Sequence, residues 1–179
     1  MTEPFALRSR GGSVRDSERL ISPAMTTAGS VLPPRGRFDG GAHLFPLRVY
    51  FEDTDLSGVV YHANYLRFME RARSDMLALA GIDQRAAFDA GEGAYAIADL
   101  SIRYAAPARL DDALLVTSTV AAATPARVII HQTVSRDAAM LSTATVTAAL
   151  VGPGGRVRRQ PAAWLDIFRP LITPQEPPK

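Results

Sequence analysis

One stretch of this chain keeps a helical period over several turns, and that limits its fold more than any other feature. From Asn64 to Ala80 the apolar residues Tyr65, Phe68, Met69, Ala72, Met76, Leu79 and Ala80 recur at helical spacing. Asn64 stands where an N-cap belongs and Gly81 where a left-handed C-terminal residue belongs. Arg67, Arg71, Ser74 and Asp75 fall mainly on the opposite face. A short second helix is predicted within residues 82–93, and a last helical turn at PAAWLDIF from Pro161. The remaining patterned segments read as strands: 44–52, 94–104, 114–122, 127–135 and 140–151, rich in Val, Ile, Thr and aromatics. In 94–104 the alternation puts Ala96, Ala98, Leu100, Ile102 and Tyr104 on one side. Short TPA and RDAA connections suit hairpins. One strand, one long helix and four consecutive strands make an α+β plan, an antiparallel sheet of about five strands covered by a single helix. Such a sheet leaves its edges unprotected, which predicts a homo-oligomer, a homodimer or homotetramer.

The ends of the chain lack this patterning. Residues 1–42 are rich in Gly, Ser, Pro and Arg without either period, and are expected to be a disordered leader, with Met25 a candidate start. The folded domain is then expected over 43–170 and a flexible tail over 171–179. No stretch has the apolar length to cross a bilayer, and no secretory signal is readable, so cytoplasmic residence is expected without stable membrane insertion. A net charge of +2 gives no reason to expect a nucleic-acid partner. The sequence has no cysteine, which excludes thiol nucleophiles, disulfides and cysteine-bound zinc. Its only lysine is Lys179.

Between the first strand and the long helix lies DTDLSGVVYHA, with Asp53 and Asp55 close together. Three chemistries use such a pair. A calcium loop starting at Asp53 would need a bidentate Glu at its twelfth position, and Asn64 stands there. An aspartate-nucleophile phosphatase would need a lysine near the phosphate and helices alternating with strands, and both are missing. The third chemistry is acyl transfer to water. A carboxylate is ionised at neutral pH, and it can attack or deprotonate water beside an activated ester. Backbone N–H groups at a helix start can then hold the oxyanion. The order Asp55, Gly58, His62, helix start supplies these parts in sequence.

The run DTDLSGVVYHANYLRFMERARSDML closely resembles the signature of hotdog-fold acyl-CoA thioesterases of the 4-hydroxybenzoyl-CoA thioesterase type. The YbgC branch, associated with the Tol–Pal envelope system, is the most similar. The resemblance is densest over 49–77 and continues more loosely through RYAAPARLDDALLV to about residue 151. It implies a hotdog fold, an antiparallel sheet wrapped around the long helix, with active sites at a dimer interface. It implies hydrolysis of acyl-CoA, or of an acyl-carrier-protein thioester, to the free acid without a cofactor or metal. It also implies that Asp55 is the catalytic carboxylate, as nucleophile or general base. The backbone amide that polarises the thioester carbonyl corresponds to the region of His62. Phe51 departs from the pattern, since that branch often carries a second Tyr there. Two rival activities share these features: an enoyl-thioester hydratase, and a non-enzymatic acyl-thioester binding or scaffold protein.

Other polar residues read as structural. Asp53 and Thr54 are expected to shape the loop, His131 to be satisfied within the sheet, and His43 to lie in a linker. The His62 ring is expected to orient water, hydrogen-bond the thioester or fasten the loop. Glu70 is expected to pair with a neighbouring arginine. Arg127, Arg156, Arg158 and Arg159 are candidates for coenzyme A phosphates, and Trp164 for an anchor of the tail.

Overall fold

The structure is a computed structural model that describes residues 35–173. Six strands form one antiparallel sheet: β1 (Arg37–Asp39), β2 (Ala42–Arg48), β3 (Ala94–Tyr104), β4 (Ala113–Ala123), β5 (Val128–Arg136) and β6 (Ala139–Val151). Their order across the sheet is β1-β2-β4-β5-β6-β3. Three helices accompany them: α1 (His62–Leu79), α2 (Gln84–Asp89) and α3 (Ala162–Phe168). The α+β plan and the hotdog arrangement are therefore present, with one strand more than expected.

The extra strand, β1, comes from the stretch expected to be leader. Arg37 pairs with Leu44 and Asp39 with Ala42, so the sheet begins before residue 43. At the other end Ile172 bridges Val120, and the Thr173 N–H donates to the Val120 carbonyl at 3.1 Å. The chain at 172–173 is thus bound to the sheet where a flexible tail was expected. Residues 1–34, Met25 among them, and 174–179 lie outside the described residues.

β3 does not form a hairpin with β4. It lies at the far edge, paired with β6, and an eight-residue connection carries the chain back under the start of α1. That connection is fastened there: Val60 donates to the Ala108 carbonyl at 2.8 Å, and the Tyr65 hydroxyl accepts from the Ala108 N–H at 2.8 Å. Within β3 the expected alternation fails. A bulge between Ile97 and Asp99 inserts one residue, so the half-buried phase of Leu100 and Ile102 passes to Tyr95, and Ala96, Ile97 and Ala98 are all exposed.

The core lies between α1 and the sheet. Tyr65, Phe68, Met69, Ala72 and Met76 are buried at the predicted spacing. Around Phe68 they meet Val49, Leu114, Val116, Val134 and Leu141. A second cluster joins Met76 and Ile82 to Ile130, Leu150, Trp164 and Phe168. Trp164 packs on Tyr95 at 5.5 Å between ring centroids, and α3 closes that end as the expected anchor. Asp83 caps α2 by accepting from the Ala86 N–H at 2.9 Å. Gly81 has φ +91°, the left-handed turn that ends α1.

His43 is no linker residue. It sits on β2, fully buried, with its Nε2 2.8 Å from an Asp75 carboxylate oxygen on α1. The same oxygen accepts from the Gly36 N–H at 2.8 Å, which ties the start of β1 to the helix. A side chain at Gly36 would collide with both groups, since a Cβ there would lie 2.4 Å from the His43 ring.

Candidate active site

The loop between β2 and α1 is built from its carboxylates outward. The strand stops at Arg48 and not at Glu52, because Phe51–Asp53 coil into a short 3-10 turn. Asp53 is buried within that turn and accepts from the Tyr50 N–H at 2.9 Å. Its backbone carbonyl takes both the Tyr61 N–H and the Asn64 side-chain amide, each at 2.9 Å. Asp53 is therefore the structural acid of the pair, as expected. Asn64 is not the cap: α1 begins at His62, and the Asn64 side chain instead clamps the loop to the first turn.

Asp55 faces solvent at the tip. The loop crosses over itself at a Thr54–Val60 bridge, and Asp55 donates from its N–H to the Val59 carbonyl at 2.9 Å. Gly58, at φ +77°, makes the turn and returns an N–H to the Asp55 carbonyl. One carboxylate oxygen of Asp55 is held by Ser57, by its N–H at 2.8 Å and its hydroxyl at 2.5 Å. The other oxygen has no donor among the described residues. The Ser57 hydroxyl, then its N–H, hold the Asp55 carboxyl below the usual carboxylate range.

His62 occupies the first position of α1, exposed, with its ring 4.4 Å from that of Tyr61. Its carbonyl accepts from the Tyr104 hydroxyl at 3.0 Å, which brings the end of β3 to the helix start. The N–H groups of His62 and Ala63 have no acceptor among the described residues, as the first N–H groups of a helix lack partners within it. A cavity of about 300 Å³ lies against this turn, lined by Val60, His62, Tyr65, Tyr104 and Ala105–Pro107. Asp55 is not among its lining residues and makes no hydrogen bond to His62; the two are joined through the loop backbone.

Two contributors were not singled out from sequence. Ser57 carries a local signal, a hydroxyl two residues after an aspartate, which is common in turns. Tyr104 carries none, because only the fold brings it to His62. Of the candidate phosphate contacts, Arg158 is engaged with the Gly91 and Glu92 carbonyls. Among the described residues no three His, Cys, Asp or Glu side chains gather into a group that would hold a metal. His131 bonds Thr145 at 2.9 Å within the sheet, as expected. Phe51, the departure from the family pattern, is 83% exposed.

Comparison with known proteins agrees with this architecture. The family model of the thioesterase superfamily matches residues 57–143. The acyl-CoA thioesterase YbgC of Haemophilus influenzae is 43% identical over 110 residues, which cover 62% of this chain and 81% of that one. The acyl-CoA thioester hydrolase YbgC of Escherichia coli O6:H1 is 38% identical over 110 residues, covering 61% and 81%. Among solved structures, a probable thioesterase from Bartonella henselae superposes with a TM-score of 0.63 at 35% identity, covering 67% of this chain and 99% of that one. A 1,4-dihydroxy-2-naphthoyl-CoA thioesterase from Synechocystis gives a TM-score of 0.66 at 25% identity, covering 72% and 96%. Sheet, helix and loop thus define a hotdog-fold thioester hydrolase. The chain belongs to the thioesterase superfamily, on the branch of the YbgC acyl-CoA thioesterases.

Proposed function

We propose that this enzyme hydrolyses acyl-CoA thioesters with the Asp55 carboxylate as nucleophile or general base. The observation that carries the proposal is the state of that carboxylate. One oxygen is anchored by Ser57 and the other has no donor among the described residues, on a loop fastened to a helix start whose first N–H groups have no acceptor among them either. In this reading the N–H groups at His62 and Ala63 receive the developing oxyanion. The His62 ring, exposed beside the cavity, contacts the thioester or its attacking water. Tetrahedral collapse then expels the coenzyme A thiolate; the product acid takes its new oxygen from water when Asp55 is the base, and from the carboxylate when water opens an anhydride at Asp55. As nucleophile, Asp55 would form a mixed anhydride that water opens; as base, it would take the proton of the attacking water. Single-turnover hydrolysis in labelled water separates the two, because label enters Asp55 only through the anhydride.

The activity is measured as thiol release from short, long and aromatic acyl-CoA substrates. Asp55→Asn is expected to lose ~10²-fold or more in kcat. Equal release by both proteins would remove Asp55 from the mechanism. Release from neither would turn the search to carrier-protein thioesters, hydration of enoyl thioesters or a binding role.

The active unit is proposed to be a homodimer. β3 is an eleven-residue edge strand with most of its residues exposed, long enough to pair with its copy, whereas β1 at the other edge has three residues. Cytoplasmic residence is part of the same proposal, because the charged phosphates of coenzyme A keep its esters in the compartment where they form.

A further inference from the structure

The peptide group between His62 and Ala63 links the edge of the sheet to the start of the helix. Its N–H, that of Ala63, is one of the two at the start of α1 with no acceptor among the described residues. Its carbonyl, that of His62, accepts from the Tyr104 hydroxyl at 3.0 Å. The atoms of a peptide group lie close to one plane, so a bond that fixes the direction of the C=O also fixes that of the N–H. The hydroxyl also draws electron density toward the carbonyl oxygen. That makes the N–H of the same group a better donor, as along any chain of hydrogen bonds. A bond to the back of this peptide therefore acts on whatever its front holds.

The first turn of α1 is held from two sides. On the loop side the Asp53 carbonyl takes the Tyr61 N–H and the Asn64 amide. Tyr104 holds it from the sheet, and its own position is set independently of the helix. It ends β3 opposite Ser142 of β6, and the N–H groups of Ala105 and Ala106 both donate to the Leu141 carbonyl, at 2.8 and 3.2 Å. Its ring meets that of the buried Tyr65 edge-on, at 5.5 Å between centroids. Partial burial raises the hydroxyl above an ordinary phenol, so it stays a donor across the neutral range. Tyr104 is nevertheless 42% exposed and lines the cavity of about 300 Å³ together with His62. A hydrogen bond that water could replace adds little to stability. What this one changes is the direction and strength of a donor.

We infer that Tyr104 is a positioning residue for the hydrolysis: its hydroxyl holds the 62–63 peptide so that the Ala63 N–H is aimed at the oxyanion before the substrate arrives. The inference rests on the thioesterase reading and on this turn as the oxyanion site. It does not rest on Asp55, because a tetrahedral oxyanion forms whether that carboxylate attacks or acts as base. Without the hydroxyl the N–H is still present but has to be oriented during the reaction. The loss then falls on the transition state and hardly on the bound substrate.

Tyr104→Phe keeps the ring and removes the hydroxyl. Its kcat for thiol release is expected to fall about tenfold, less than the ~10²–10³-fold that loss of a whole oxyanion donor costs, with KM within about twofold of the wild type. The carbonyl itself is read by NMR with an acyl-CoA analogue that has a methylene in place of the thioester sulfur and carbon-13 at the resulting ketone. This analogue keeps the carbonyl and cannot be hydrolysed. Its bound resonance should lie downfield of the free one in the wild type, and Tyr104→Phe should bring it part of the way back. An unchanged kcat overturns the inference. So does a lower kcat with the resonance where the wild type has it, because the hydroxyl would then act on something other than the oxyanion. A variant that fails to fold overturns it too, since the bond would then serve the fold. A wild-type resonance at the free position removes the helix start as oxyanion site, and the inference with it. If the wild type releases no thiol from any acyl-CoA, the thioesterase reading falls and takes this inference along. Failure of the Asp55 mechanism alone leaves both readouts of Tyr104 in force.

Discussion

Asp55 and Ser57 form a unit whose effect on pH dependence has a definite sign. The Ser57 hydroxyl and N–H stabilise the ionised carboxylate, so its pKa lies below that of an ordinary aspartate. A base or nucleophile with a lowered pKa stays active to lower pH, so the acid limb of kcat/KM should fall below the ordinary carboxylate range. Ser57→Ala removes the hydroxyl donor and keeps the N–H. The pKa should then rise and the acid limb move to higher pH, and pH–rate profiles of the two proteins decide the matter. An unmoved limb would mean that Asp55 does not control it. At this scale the sequence was readable where chemistry is local. The DTD run and the glycine after it placed Asp55 on a loop ahead of the helix, and elimination left acyl transfer. The Tyr104 hydroxyl on the His62 carbonyl, 42 residues away, was invisible because tertiary folding alone joins them.

At the scale of the element, α1 carries both the core and the site, so its packing has to hold its first turn in place. Phe68 is fully buried in the middle of the larger cluster. Phe68→Ala is expected to cost about 3–5 kcal/mol, the transfer loss plus a cavity that the sheet beneath can only partly fill. Denaturant unfolding of the two proteins measures this; a loss below about 1 kcal/mol would mean that the helix repacks freely. The helix was legible because its apolar period extends over several turns. Its first residue was not. Asn64 has the chemistry of an N-cap, but the chain enters the helix two residues earlier, at His62, and the Asn64 side-chain amide donates to the Asp53 carbonyl instead. The phase of β3 was also misread, since the single inserted residue at the Ile97–Asp99 bulge reverses inside and outside without altering composition. Fold class survives such errors because it depends on the number and type of elements. Site geometry does not, because it depends on which side chain faces inward.

For the whole molecule, the surface around the site is the argument for a partner. Tyr50 is 60% exposed, Phe51 83%, Leu56 107% and Tyr61 47%, all within the loop that carries Asp55. Apolar exposure on the loop that carries Asp55, beside an eleven-residue strand at the edge of the sheet among the described residues, is what a self-association surface leaves on the isolated chain. Association was readable from the element pattern, since one helix cannot cover every edge of the sheet. It could not indicate the edge, because strand order is not written in any local pattern and β3 reaches the outside only by crossing past β5 and β6. A dimer of the 19.3 kDa chain joined along β3 should scatter light as twice that mass. Ala96→Lys combined with Ser101→Lys puts like charges on two exposed positions of that strand, and so on both copies of a symmetric pair. The double variant should shift toward the monomer mass, and its thioesterase activity should fall along with it. The wild type offers an independent reading, since a site completed by the second subunit must lose specific activity on dilution as the dimer dissociates. If the double variant is monomeric and fully active, the site is complete within one chain, and the exposed loop serves the substrate alone.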